Sequence, residues 1–548
     1  MATPTEFETS SAEATTANSH PALAPPKSSR GRVVGVVTIF TLIVAIVGYL
    51  REATLAAQFG VTATMDAYFG AIFIPTNIYL ILVVGTVSPI LIPILLHEDG
   101  RDHARTSETF SIITTFVLTL FGAVVICGMI TARWWLEWLF PGFDPATRAM
   151  ALKLIYIIFP ALPLLALAGI LTAALNGYHR YALAAFAPAL SSIAVIVTAL
   201  VARGERAIYI VGLGTTVGFL LQFMVLVPAT RSVGLGYRHI LRLRHPAIAR
   251  LVQLGSPLIL YLLAANASLV VERNLASRLS VGALSSLTYA MRLFTVPSNF
   301  LAAPLAIVAY PYFAREALRT EYGDLRQELA RTVRFVVFLF VPITVWSVLN
   351  SLPVTRALYE RGHFGIADSI LVSNVFRLYA IGILPNAITV PLLRCFYAVE
   401  DTITPLWVES IDLAFFIVCA PLLTRRFGIS GLAFTRGMTF LLVATILAWV
   451  LWHKKGLLRI GRDFAPFMAR TAVATLAMAL VGWFGIQWLR PWFDQGGTLA
   501  RVAIIGIQIV LDGAVFLAAA ILLKMDEAEK LLRTVLSLFQ IAPQNASA

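Results

Sequence analysis

Charge is what this 548-residue chain has least of. Only 13% of its residues are charged, against roughly a quarter in a soluble domain. Hydrophobic residues make up 59%, and the mean hydropathy is +0.82. A soluble globular enzyme is excluded, and a polytopic membrane protein is indicated. Cysteine is scarce: Cys127, Cys395 and Cys419 stand far apart in apolar segments, as small buried hydrophobes do, which leaves no disulfide framework. No G-x-x-x-x-G-K-[ST] occurs, so a nucleotide-hydrolysing loop is missing. "GLGTTVG" at 212–218 lies inside an apolar run rather than between a strand and a helix. Its Gly214 and Gly218 are expected to let two helices approach closely. H-E-x-x-H is absent too, and "HEDGRDH" at 97–103 reads as a solvated loop. No metal and no cofactor is expected.

What the chain has in abundance is apolar runs of about 20 residues, the length of one helical crossing. They fall near 33–57, 65–96, 108–132, 150–175, 183–203, 207–229, 251–279, 284–314, 329–350, 368–397, 404–424, 428–452, 466–489 and 501–524. The expected fold is therefore all-α, with about fourteen transmembrane helices. Residues 1–32 read as a tail without apolar periodicity, and 526–548 as a second tail. Residues 33–230 and 251–455 each hold six spans, and 456–525 hold a final pair. Between the two sets lies a basic, amphipathic-looking link, "RSVGLGYRHILRLRHPAIAR" at 231–250. The net charge of +13 would suggest nucleic acid in a soluble protein. Here the cations gather between apolar runs, about 23 on one side of the membrane and about 11 on the other, which places both termini in the cytoplasm. Membrane lipids, not nucleic acid, are the expected partners of that charge, and "RWWLEWLF" at 133–140 reads as an interfacial aromatic anchor.

An internal repeat organises the two six-span sets. A shift of 222 residues, the separation of Arg51 from Arg273, also lays Pro75 on Pro297, Thr76 on Ser298, Asn77 on Asn299 and Pro89 on Pro311 without a gap. Six spans separate the copies, so the halves share an orientation and are expected to be related by an axis along the membrane normal, with a ligand path between two lobes. Proline pairs within runs, Pro89 with Pro93 and Pro160 with Pro163, predict kinked helices.

Against this background the intramembrane charges are the main functional signal, because each costs about 2.5–3.5 kcal/mol at a bilayer centre. Arg51 and Glu52 open one repeat, and Glu272 and Arg273 the other. They either satisfy each other and only fix helix packing, or bind an anionic group between the lobes. Neighbours on a helix point about 100° apart and need not pair, and arginine suits bidentate phosphate recognition. Arg292, five residues before Pro297, could serve a carbonyl freed by the proline, while Arg278 could simply reach the interface. Asp66 either caps the second helix or joins the site. Later spans add Arg377, Arg394, Glu409, Asp412, Arg436 and Asp512. Glu409 and Asp412 share a helix face and could hold a coupling cation or pair with Arg377 or Arg436; the sequence leaves both open.

With those residues in view, the chain resembles the MurJ/MviN family of lipid II flippases, within the wider superfamily of multidrug and oligosaccharidyl-lipid exporters. The likeness runs from about Val33 to Lys455 through "GYLREATLAAQFG", "MDAYFGAIFIPTN", "LTYAMRLFTVPSN", "YERGHF" at 359–364 and "FYAVEDTITP" at 396–405. The resemblance implies an inverted V of two lobes around a cationic cavity, and a groove for a long lipid tail on the last two helices. It implies a transporter rather than an enzyme, carrying a polyprenyl-diphosphate-linked saccharide across a bacterial inner membrane as a monomer. Arg51 matches the first arginine of the family's R-D-x-x-x-A-R-x-F-G pattern, with Glu52 in place of Asp; Asp66, Arg273 and Arg292 also fall on family positions. The second arginine of that pattern is Ala57 here, and apolar residues around Tyr79 and Leu80 replace a further arginine pair. Two other transporter readings follow: a flippase for a different lipid-linked glycan, or a cation-coupled drug exporter built on Glu409 and Asp412. A membrane glycosyltransferase would need catalysts on longer outer loops than this chain has.

Overall fold

A bilayer core offers backbone groups no water, so each segment must satisfy its own N–H and C=O groups, as a helix does. The computed structural model describes residues 27–99, 103–317, 323–458, 461 and 463–540. Apart from one isolated bridge between Arg361 and Phe364, helix is the regular structure throughout the described residues. The expected N-terminal tail up to residue 26, the centre of "HEDGRDH", Arg319, Arg459, Arg462 and residues 541–548 lie outside them. The expected C-terminal tail instead contains a helix, Asp526–Gln540.

Among the described residues, eleven helices are long and apolar enough to cross a membrane, and a bent pair makes a twelfth. In chain order, spans 1 to 7 are Thr38–Phe59, Ala63–Leu95, Ala104–Ile130, Pro145–Gly177, Tyr181–Val201, Ala207–Ser232 and Pro246–Ser277. Span 8 is a broken run, Ala283–Pro297 followed by Ala303–Ala317. Span 9 is Gly323–Leu349, and span 10 is the pair Ile366–Ala380 and Ile383–Ala398, bent by 41°. The 52 residues of Ile403–Lys454 would make a rod of about 78 Å, more than twice a bilayer core. They divide at Gly428, whose φ of 59° and ψ of −139° leave the helical region. A Cβ on Gly431 would stand 2.2 Å from the Leu423 carbonyl oxygen, so the chain turns back on itself and forms spans 11 (403–427) and 12 (429–454). Spans 13 and 14 are Phe464–Gln495 and Thr498–Leu522. This reading gives fourteen crossings.

Spans 1–6 form one bundle, in which span 5 packs between spans 1 and 6, and span 4 against spans 2, 3 and 6. In the second bundle span 10 packs against spans 8 and 9, while span 7 packs on the 11–12 hairpin; spans 13 and 14 pack on each other and on span 9. Small residues bring helices together: a Cβ on Gly214 would meet Thr198 Oγ1 at 2.0 Å, and one on Gly218 would meet Ser191 Cα at 2.8 Å. With no hydrophobic drive between helices in lipid, such close approach supplies the packing.

Both repeats carry a π-helical interruption soon after the aligned proline, Leu80–Val87 in span 2 and Ser298–Ala302 in span 8. Span 4 breaks into a 3-10 turn at Phe159–Ala161, around Pro160. The basic link between the two bundles has a defined course. Span 6 ends at Ser232, and the chain then runs without helix to His245. Hydroxyls spaced four apart on span 3 take up its backbone groups: Ser107 Oγ accepts from Gly236 N–H (3.2 Å), Ser111 Oγ from Arg238 N–H (3.1 Å) and Thr115 Oγ1 from Ile240 N–H (3.4 Å). Between residues 233 and 245 the link is thus an extended strap.

The near face carries the start of span 1 and the strap, and the far face carries the loops at 60–62, 131–144, 278–282 and 350–365.

Candidate functional site

Between the two bundles lies a cavity of about 260 Å³ whose lining includes Arg51 and Glu52 from span 1, Arg273 from span 7, and Thr288 and Arg292 from span 8. Helical periodicity turns all these residues toward the junction. Arg51 Nη2 donates to Glu52 Oε1 at 2.6 Å, and Arg292 Nε reaches the same oxygen across the bundle junction at 3.3 Å. Arg273 Nη1 donates to Thr288 Oγ1 (2.7 Å) and the Leu284 carbonyl (3.3 Å), with its guanidinium 5.7 Å from the centre of the Phe73 ring. On the lining of this cavity three buried polar atoms lack a hydrogen-bond partner among the described residues: Arg51 Nε, Arg273 Nε and Glu52 Oε2. Orphaned buried donors are uncommon in folded proteins, and two of them, one from each bundle, line one recess suited to an anion. Phe69, Phe73, Ile72 and Leu80 supply apolar wall.

Asp66 and Glu272 do not line this cavity. Asp66 was expected either to cap its own helix or to join the site; Thr62 holds that cap position, without a side-chain bond. Asp66 instead accepts from Gly282 N–H and Ser285 N–H, both at 2.7 Å, and so caps span 8 in the other bundle. The reason is geometric: Gly282, at φ 86°, turns the first free N–H groups of span 8 toward span 2, where a carboxylate is favoured by the helix dipole. Glu272 points into the second bundle. It takes Arg436 Nε at 2.7 Å and Nη2 at 2.5 Å, as well as the Tyr379 hydroxyl, and Arg436 Nη1 donates to Ser268 Oγ at 3.1 Å. Glu272 is therefore paired with span 12, not with its sequence neighbour Arg273.

Asp66 belongs to a broad closure of the far face. His363 N–H donates to the Ala57 carbonyl at 2.8 Å, Tyr49 Oη to the Leu358 carbonyl at 2.9 Å, and Asn274 Nδ2 to the Trp138 carbonyl at 2.9 Å. Tyr289 packs against Phe69, Tyr359 and Phe364, with ring centres 5.2 to 5.8 Å apart. "YERGHF" is at the centre of this closure. Its Glu360 also accepts from Arg356 Nε (2.7 Å) and Arg501 Nη1 (2.9 Å), which ties span 14 to the second bundle. Burial pushes the Glu360 carboxyl up, but the Arg356 and Arg501 guanidinium groups prevail and hold it below its ordinary range.

The remaining charges are placed individually. Glu409 and Asp412 lie on span 11 away from the cavity, with Asp412 within bonding reach of Thr439. Arg377 Nε donates to Ser351 Oγ at 3.1 Å, and Arg394 stacks 5.5 Å from the Tyr310 ring. Arg278 sits at the C-terminal cap of span 7, and Asp512 accepts from Trp346 Nε1 at 2.9 Å. Sequence reasoning missed Thr288, the partner of Arg273, although the 222-residue shift lays it on Asp66. It also missed the gate role of the tyrosines, for which apolar aromatic spacing gives no distinct signal.

The profile of the family described as lipid II flippase MurJ matches residues 55–503. The chain belongs to that family. This MurJ-family protein is therefore a multi-pass transporter rather than an enzyme. It is 26% identical over 491 residues to the lipid II flippase MurJ of Burkholderia cenocepacia, a match covering 87% of this chain and 94% of that protein. A solved structure of lipid II flippase MurJ in an inward closed conformation superposes with a TM-score of 0.75 at 20% identity, over 89% of this chain and 98% of that one. An inward-facing multidrug resistance MATE family transporter of the MOP superfamily gives 0.60 at 14% identity, over 76% and 98%. At these identities the two structures speak for the fold.

Proposed function

We propose that this protein moves lipid II, a polyprenyl-diphosphate-linked saccharide, from the cytoplasmic to the outer leaflet of a bacterial inner membrane by alternating access. The observation that carries this reading is the convergence of Arg51, from one bundle, with Arg273 and Arg292, from the other, on one recess beneath a closed far face. The lysine and arginine distribution makes the near face cytoplasmic, with both termini there. Spans 1–6 and 7–12 act as two lobes that rock about the recess, and spans 13–14 carry the lipid tail. All the cavity's cations come from one chain, so a monomer suffices.

A diphosphate accepts from guanidinium forks in bidentate fashion, and Arg51 and Arg273 grip it from opposite lobes. Before loading, Glu52 stands in for that anion by holding Arg51 and Arg292. Phosphate oxygens displace it and take over the unsatisfied Nε donors. The cavity, at about 260 Å³, is smaller than the roughly 300–1,000 Å³ of sites for drug-sized ligands. In this reading the recess is contracted and must widen to admit the head group. Contacts between the bundles on the near side of the recess agree: a Cβ on Gly85, within the π segment of span 2, would meet Leu262 Cδ1 of span 7 at 2.3 Å. Opening that side requires span 2 to shift, and a π segment is a natural place for it to bend. Ala57 and the apolar residues at Tyr79 and Leu80 leave fewer cations than the family pattern holds, which favours a second reading, a different polyprenyl-linked glycan carried by the same grip.

The test is replacement of a host's own lipid II flippase by this protein. Wild type is expected to restore lipid II delivery to the outer leaflet, while Arg51→Ala and Arg273→Ala lower delivery at least tenfold at unchanged membrane abundance. Arg→Lys should recover part of it, since charge returns without the fork. Parallel loss of protein and transport would refute the substrate-grip role. Wild-type failure on lipid II, with transport of another lipid-linked glycan, would favour the second reading.

A further inference from the structure

The near face carries a second polar cavity, of about 360 Å³, lined by Arg105, Glu108, Arg242, His245 and Arg250. It sits where the near ends of spans 2, 3 and 7 meet, remote from Arg51 and Arg273. The serine–threonine ladder of span 3 fixes the strap, and Arg242 Nη1 donates to Glu108 Oε1 at 2.7 Å. His245 Nδ1 accepts from Ala247 N–H at 3.2 Å, which leaves the ring's proton on Nε2 as a donor. The Arg250 side chain, on the first turn of span 7, forms no hydrogen bond or ion pair among the described residues. Deeper along the same three spans runs an apolar slot of about 120 Å³, lined by Leu82, Val87, Phe116, Phe121, Leu251 and Ile259 among others. A basic recess at membrane-surface depth above an apolar slot is the arrangement that suits a charged head on a hydrocarbon tail.

We propose that these two recesses form one binding site for an anionic membrane phospholipid. Its phosphodiester is held by Arg242, Arg250 and His245, and an acyl chain fills the slot. The charge favours an anionic head over a zwitterionic one, and the slot favours a lipid over free phosphate. The site straddles the junction: Glu108 and Phe116 belong to the first bundle, Arg250 and Leu251 to the second. A lipid seated there ties the near ends together and must be released or rearranged when the near face opens. It therefore favours the near-closed state.

The experiment is native mass spectrometry of the full chain in detergent, titrated with phosphatidylglycerol or phosphatidylcholine. Wild type is expected to retain phosphatidylglycerol in preference. Arg242→Gln with Arg250→Gln should weaken it about 25-fold, at about fivefold per surface arginine, whereas Arg425→Gln with Arg426→Gln, a charge-matched far-face control, should not. Glu108→Gln, which frees Arg242, should strengthen retention and serves as a second variant if the double mutant folds poorly. Equal retention of both lipids, undiminished retention in the double variant, weaker retention in Glu108→Gln, or displacement of the lipid by millimolar inorganic phosphate would each overturn the proposal. The readout is an adduct mass and not transport, so failure of lipid II delivery leaves it standing.

Discussion

Replacing Asp66 by Asn should release the far face. Asp66 gives span 8 two short bonds, to Gly282 N–H and Ser285 N–H, each 2.7 Å and buried. Hydrogen bonds to a charged partner contribute about 1.5–3 kcal/mol each, and a carboxylate at a helix N-terminus adds up to about 2 kcal/mol in partly buried settings. Asn keeps one acceptor of similar shape, loses the charge and turns an N–H₂ group toward one of the two donors. When the far face opens, water replaces both bonds in either protein, so only part of the gross value separates the closed and open states. A net loss of about 2 kcal/mol raises the far-open population roughly 30-fold. Ser191 lines the cavity, and Ser191→Cys, in a background without Cys127 and Cys419, reports access. The rate of modification by a membrane-impermeant thiol reagent in intact cells should rise about 30-fold in the Asp66→Asn variant at equal abundance. An unchanged rate would show that the Asp66 bonds do not hold the gate and that aromatic packing alone closes it.

Glu272→Ala leaves Arg436 buried without its carboxylate, a change that costs about 3–5 kcal/mol; a large fall in melting temperature is expected, and a fall no greater than that of an exposed control would refute the pairing. Gly362 has φ +59°, and a Cβ there would stand 2.2 Å from the Ala57 carbonyl oxygen, so Gly362→Ala should open the far face in the same thiol assay, with parental rates counting against it. On the near face, burial pushes the Asp401 carboxyl up, but bonds from Lys455 (2.8 Å) and Thr404 N–H (2.9 Å) pull it down to about 2. Its folded value is depressed, so its stabilisation is present above the usual carboxylate range near 4 and is lost as pH falls toward 2. Asp401→Asn should lower stability by under about 1 kcal/mol at pH 7, and a deficit that persisted undiminished at pH 2 would contradict that linkage.

The spans were legible in the sequence because lipid imposes one rule on all of them, length and apolarity, and the repeat was legible because Arg51, Pro75 and Asn77 recur in order. Span 8 is apolar enough to be read from sequence, yet the break at Ser298–Ala302 is not, because a π segment has no composition of its own. The cavity arginines announced themselves by their cost in lipid. Their partners did not: whether Glu272 serves Arg273 or Arg436 depends on which way one helix face turns, and neighbours in sequence compete with a residue 164 positions away. For Asp66 the sequence left capping and a site role open; it does cap a helix, but one 216 positions distant, a pairing set by how the bundles meet. The extended course of the strap was not legible in its own residues, because the hydroxyls that hold it extended lie on span 3.

The hexapeptide "YERGHF" fastens three bodies with four of its residues: Glu360 to Arg501 of span 14, Gly362 and His363 to the end of span 1, and Tyr359 to Tyr289 of span 8. A rivet of this kind makes the final helix pair part of the gate's linkage. When span 1 parts from His363, the loop is freed on one side and remains anchored on the other, so the strain of opening is passed to spans 13 and 14. A hydrocarbon tail lying along that pair would feel the far face open before the head group moved, and its drag would in turn resist closure until the cargo had left.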